Sequence, residues 1–184
     1  MEHIKRMLKK SGLSAKHINV ILEEHPDLKE EDVFSVLTDL NIKSKLKKAQ
    51  KIFKNENLSI AEKVVLLGQS QRLDTTSIEA AVWKLHDKPP LEDYLIYFRE
   101  FRRTILPMYL QLAKEGKEQG VFESDYPEEM TQILFTVGFA LSQRKLIPLG
   151  STKERAFMKA FDELVICVLK ADEDFLKGTG GLLI

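Results

Sequence analysis

Apolar residues in this chain recur three and four positions apart almost from end to end, and no sustained alternation at two appears anywhere. A period near 3.6 marks helices with one face turned to a core, whereas half-buried strands alternate strictly. Glycine and proline fall mostly between the periodic stretches, where lost hydrogen bonds and added backbone freedom do least harm. The spacing predicts an all-α fold. The 184 residues suffice for one buried core, or for a small head joined to a larger body.

Local chemistry places the helix ends. Ser14 precedes Ile18, Ile21 and Leu22, and His25-Pro26-Asp27 closes that helix. A second helix runs from about Lys29 with Val33, Val36, Leu37 and Leu40 on one face, and a third carries Leu46, Ala49, Ile52 and Phe53. Ser59 with Glu62 three residues on forms a capping box for a helix through Val64, Val65 and Leu67. Asp74 to Ser77 interrupts it before a helix holding Ile78, Ala81, Val82 and Leu85. After Pro89-Pro90, Leu91 to about Gly116 reads as one aromatic-rich helix, with a kink or break expected between Thr104 and Pro107. Asp125 begins the next helix, with Pro127 and Glu128-Glu129 in its first turn. Ser151 and Glu154 make a second capping box for a last helix reaching roughly Phe175. A boundary is expected in the Lys43 to Asn57 hinge, giving a short helical head over 1–45 and a body over 46–184.

Composition narrows the function classes. Twenty-eight basic and twenty-eight acidic residues cancel, which argues against a surface built wholly for nucleic acid. One cysteine, Cys167, excludes an internal disulfide framework and points to a reducing compartment. The opening MEHIKRMLKK leads into no apolar stretch, so no secretory signal is read, and no apolar run approaches a bilayer span. The expected location is cytoplasmic, with no membrane partner. His3, His17, His25 and His86 match no nucleophile or metal pattern, and Gly178-Thr-Gly-Gly181 lacks the strand that a phosphate loop follows. Neither enzyme activity nor a metal or other cofactor is expected.

Two features point to partners. Between Lys43 and Lys54 lie six lysines with no acid until Glu56, and Lys43, Lys47, Lys51 and Lys54 line the side of a helix opposite its apolar residues. Such a face is either merely solvated or a phosphate clamp, in which case Lys43, Lys45, Lys47 and Lys48 would hold the DNA backbone and binding would weaken with salt. In the last two helices, Met130, Ile133, Leu134, Val137 and Leu141 form one stripe and Phe157, Phe161, Leu164, Val165 and Val168 another, yet Phe135, Phe139, Ala140, Ala156, Ala160 and Cys167 lie beside them. Helices apolar nearly all round require cover on both sides, which predicts a homodimer through a two-plus-two helix interface of Leu134, Val137, Leu141, Phe157, Phe161, Leu164 and Val168.

The passage Leu112-Ala-Lys-Glu-Gly-Lys-Glu-Gln-Gly-Val-Phe-Glu-Ser-Asp-Tyr-Pro-Glu-Glu129 resembles a stretch of TetR-type transcriptional regulators, in which a glycine-punctuated helix end leads to an Asp-x-Pro-Glu helix start. Asn57 to Leu67 is similar to the capped start of that family's fifth helix, and the resemblance covers roughly Lys45 to Leu176. It implies a TetR-like effector-binding and dimerisation body behind a DNA-binding head. Leu40-Asn-Ile-Lys43 stands where a helix-turn-helix turn would lie and Phe53-Lys54 at its end, without the family's glycine and aromatic pair. The resemblance also implies a pocket for a small apolar or aromatic effector, for which Trp83, Tyr94, Tyr97, Phe98, Phe101 and Tyr109 are the candidate lining and Arg102 or His86 an orienting contact. The same aromatics read equally as ordinary core. Two functions stay open: a ligand-responsive DNA-binding homodimer, and an interaction protein with such a body whose head no longer reads DNA and instead docks a protein through Val33, Val36 and Leu37.

Overall fold

A computed structural model describes residues 2–71, 78, 81–82, 91–141, 152–172 and 174–176. Among these residues the chain forms seven α-helices: α1 Glu2–Lys10, α2 Ala15–Glu24, α3 Val33–Phe53, α4 Ile60–Ser70, α5 Leu91–Glu118, α6 Pro127–Leu141 and α7 Thr152–Leu169. A 3-10 turn, Glu30–Asp32, leads into α3, and the described residues hold no strand, only an isolated bridge between Phe122 and Ala171. The chain divides into two compact units, Met1–Lys45 with Leu73–Phe101, and Leu46–Arg72 with Arg102–Ile184.

In the first unit, α1 ends where the Ser11 and Gly12 N–H groups return to the carbonyls of Met7 and Lys9, each at 3.1 Å. Gly12 takes φ +91°, a left-handed conformation that only glycine adopts freely. Ser14 then caps α2, its hydroxyl accepting the His17 N–H at 3.3 Å. The helix stops at His25, which Pro26 forces out of the α region. Leu8, Ile21, Val33 and Leu37 are sealed from solvent, with Ile4, Leu13, Ile18, Leu28, Ala81 and Val82 around them. Val33 and Leu37 are therefore core and Val36 packs against it, so the protein-docking surface expected there does not exist.

The two helices expected over Lys29 to Phe53 are one. Leu40 to Lys43 lie inside α3, and no turn separates them from the lysine-rich stretch. The apolar stripe does shift between Leu40 and Leu46, but the shift arises because the helix leaves one unit for the other at Lys45, not because it breaks.

In the second unit Ser59 and Glu62 complete the capping box: the Ser59 N–H donates to Glu62 Oε2 at 2.8 Å and the Glu62 N–H to Ser59 Oγ at 3.2 Å. Val65, Leu67, Ile105 and Leu112 are sealed in this core. Helix α5 continues through Pro107 without interruption. Proline cannot donate to the carbonyl of residue 103, but Arg103 and Pro107 are both exposed, so water can reach that carbonyl and the expected break is not required.

The glycine-punctuated exit from α5 folds back on itself. The N–H groups of Val121 and Phe122 both donate to the Gly116 carbonyl, at 2.8 and 3.1 Å, and Gly120 takes φ +73°. Phe122 is thereby driven inward, edge-on to Phe175 at 5.3 Å. Helix α6 starts at Pro127, two residues later than expected, because buried Ser124 accepts the Tyr126 N–H and leaves Asp125 exposed beside Lys170. Helix α7 ends at Leu169 instead of reaching Phe175, since Lys170 turns to φ +49° and Leu169 and Lys170 accept the N–H groups of Ser124 and Glu123. The expected cap at Ser151, like the Asp74 to Ser77 interruption, lies outside the described residues.

Candidate functional site

On α3, Lys43, Lys47 and Lys51 occupy an arc of about 80° at 100° per residue, spanning about 12 Å of helix, with Lys48 at its margin and Lys54 just past the helix end. All five are exposed. Lys45 is the exception among the expected phosphate contacts. Two residues past Lys43 it points about 200° round the helix, where it is buried, its ammonium 6.0 Å from the centre of the Phe101 ring. It belongs to the interior of the first unit and is not a backbone clamp.

The aromatic candidates do not form one group. Tyr97 and Phe101 are buried in the first unit and stacked, rings 6.0 Å apart and 9° from parallel. Phe98 beside them is half-buried. Tyr109 belongs to the second unit, where it meets Phe135 edge-on at 5.8 Å and desolvation pushes its phenol pKa upward, keeping it protonated. Trp83, His86 and the Tyr94 side chain lie outside the described residues. Arg102 is exposed and donates to Gln132 at 3.1 Å, so its contact is with α6.

Facing the stacked pair is a polar lane that sequence reasoning passed over. Thr38, Asn41 and Lys45 recur at i, i+3 and i+7 on α3, all buried. Asn41 Nδ2 donates to the Tyr97 hydroxyl at 3.1 Å, while the Thr38 hydroxyl has no hydrogen-bond partner among the described residues. The signal was present as three polar residues on one face, masked by the reading of a turn at Leu40 to Lys43.

The expected dimer residues also divide. Phe161 is buried, its ring packed on Gly138 so closely that a methyl there would sit 3.2 Å from Cζ, and Leu134 is buried too. These two are core of their own chain, not interface. Val137 and Val168 are half-buried, and the Leu141 side chain lies outside the described residues. What faces out is Ile133, 57% exposed, with Phe157 at 39% and Leu164 at 40%. On α7 Phe157, Ala160, Leu164 and Cys167 form a single exposed stripe.

Among the described residues no three His, Cys, Asp or Glu side chains gather as metal ligands, and no helix is long and apolar enough to cross a membrane. Compared with protein-family models, curated proteins and solved structures, the chain matches none.

Proposed function

We propose that the chain is a TetR-like regulator: a homodimer that binds DNA and responds to a small apolar or aromatic effector. The observation that carries the proposal is the outward apolar stripe of α7. Large apolar side chains along one exposed helix face are costly in water, at roughly 25 cal/mol per Å² of apolar surface. A second copy supplies matching cover. With a two-fold axis near Ala160, Phe157 of one copy meets Leu164 of the other, and the small Ala160 allows the helices to approach. The lysine face of α3 supports contact with phosphates, and the Tyr97-Phe101 stack beside Asn41 supports recognition of a flat ligand with a polar tip. Light scattering on the purified chain tests the dimer, and a protomer mass at high concentration would sink it.

The continuity of α3 favours a second reading, an interaction protein without DNA binding, because it removes the turn that the resemblance placed at Leu40 to Lys43. Fluorescence anisotropy with random duplex at two salt levels separates the two. Salt-sensitive binding supports the regulator, and unchanged anisotropy at micromolar protein supports the interaction protein.

A further inference from the structure

We infer that the first unit pairs with the first unit of a second copy through two adjoining patches of opposite charge, the outer face of α1 and residues 23–32, in a contact separate from the apolar stripe of α7. The sequence of this unit is sorted by sign. Residues 3–22 hold Lys5, Arg6, Lys9, Lys10 and Lys16 and no acid, whereas residues 23–32 hold Glu23, Glu24, Asp27, Glu30, Glu31 and Asp32 against Lys29 alone. All of these side chains are exposed. Ile4 and Leu8 fix α1 from its inner side and Leu28 fixes the acidic stretch, so each patch is carried on anchored backbone.

Folding leaves the two signs largely unpaired. Among the described residues these stretches make two ion pairs, His3 with Glu30 at 3.0 Å and Lys29 with Glu31 at 3.7 Å. The five bases and Glu23, Glu24, Asp27 and Asp32 make none. A chain with no net charge therefore presents one basic and one acidic field from the same small unit, and each is the complement of the other. Their arrangement selects the mode of pairing. The contact of His3 with Glu30 joins the edge of the α1 face to the acidic turn, so the patches lie side by side. A two-fold axis between adjoining patches sets the bases of each copy over the acids of the other and closes the assembly at two, whereas patches on opposite sides would propagate head to tail. One exposed ion pair contributes little, but the two-fold doubles two whole patches, and the contact is strong only where salt does not screen it.

The test is sedimentation velocity of the full chain at about 0.02 M and about 0.5 M salt, in a Leu164→Glu background that removes the α7 contact. The high-salt mass reports on the α7 contact and the gain on lowering salt reports on the head contact, so either can fail alone. A protomer at high salt that becomes a dimer at low salt is expected. Lys5→Glu with Lys9→Glu should weaken that association more than about tenfold, and so should Glu23→Lys with Asp27→Lys, because each turns an attraction into a repulsion. An equimolar mixture of the two reversed chains should associate again, since the acids on α1 of one then face the bases at positions 23 and 27 of the other. Recovery on mixing separates a matched contact from a loss of structure, and far-ultraviolet circular dichroism checks that each variant keeps its helices. Three outcomes overturn the inference: no gain in mass at low salt, no recovery on mixing, or a mass that climbs with concentration past the dimer, which would mean open head-to-tail contacts.

Discussion

Gly116 lies against the edge of the Phe122 ring, so that a methyl group on its Cα would overlap Cδ2 and Cε2 of that ring. The same glycine carbonyl accepts the N–H groups of Val121 and Phe122, so backbone and side chain are fixed by one local fold. Phe122 cannot retreat, because it is sealed in the core and held edge-on by Phe175. Gly116→Ala should therefore lose about 1–3 kcal/mol through overpacking, despite the helix-propensity gain of about 1 kcal/mol that alanine brings. At Gly138 the approaching atom is the tip of Phe161 at 3.2 Å, which needs to yield only slightly. Gly138→Ala should stay near neutral. Urea midpoints for the two variants check the contrast, and equal losses would refute it.

The Ser59-Glu62 box makes stability depend on acid. The Ser59 N–H and then the Ser59 hydroxyl hold the Glu62 carboxylate below the ordinary glutamate value of 4.5. A carboxyl depressed on folding contributes stability that is fully present above its unfolded pKa and is lost as pH falls through its folded one. Stability should thus decline below about 4.5 with a component that Glu62→Gln removes. Ser59→Ala should cost about 1 kcal/mol at neutral pH as well, because it deletes the cap itself. Thermal melts across the acid range check both.

What the sequence revealed was the chemistry of chain ends and local periods. Ser14, Ser59 and Pro127 each announce a helix start through a side chain or a missing N–H acting within one turn. Misreadings came where the deciding partner is distant along the chain. The stripe on α3 looks broken because its halves serve different units, and Lys45 looks like its neighbours until Phe101 is placed against it. Phe161 and Phe157 share one stripe of α7 by spacing, yet the first packs inward on Gly138 and the second stays out.

Thr38 is 1% exposed and its hydroxyl lacks a partner among the described residues. A buried hydroxyl without a hydrogen bond costs roughly 1–3 kcal/mol. Thr38→Val keeps the shape and removes the oxygen, so it should stabilise the chain by about 1 kcal/mol. Asn41→Leu, by contrast, deletes the bond to Tyr97 and should destabilise it by a similar amount. A loss of stability in Thr38→Val would mean that water or a ligand serves the hydroxyl in solution, which would strengthen the case for an effector site beside Tyr97.

The division between Phe161 and Leu164 gives the sharpest test of self-association. Phe161 is held against Gly138 within its own chain, so a charge there is buried without a partner. Phe161→Glu should lose about 3 kcal/mol or more and the melting transition with it, whatever the oligomeric state. Leu164 and Phe157 face outward, and Leu164→Glu or Phe157→Glu leaves the core untouched. In a dimer with α7 against α7, either carboxylate meets apolar surface of the other copy, and the variant should run as a folded protomer with unchanged helical circular dichroism. Light scattering coupled to size exclusion checks the mass. A dimer that survives both outward substitutions would place the interface elsewhere and leave the apolar stripe of α7 without its second copy.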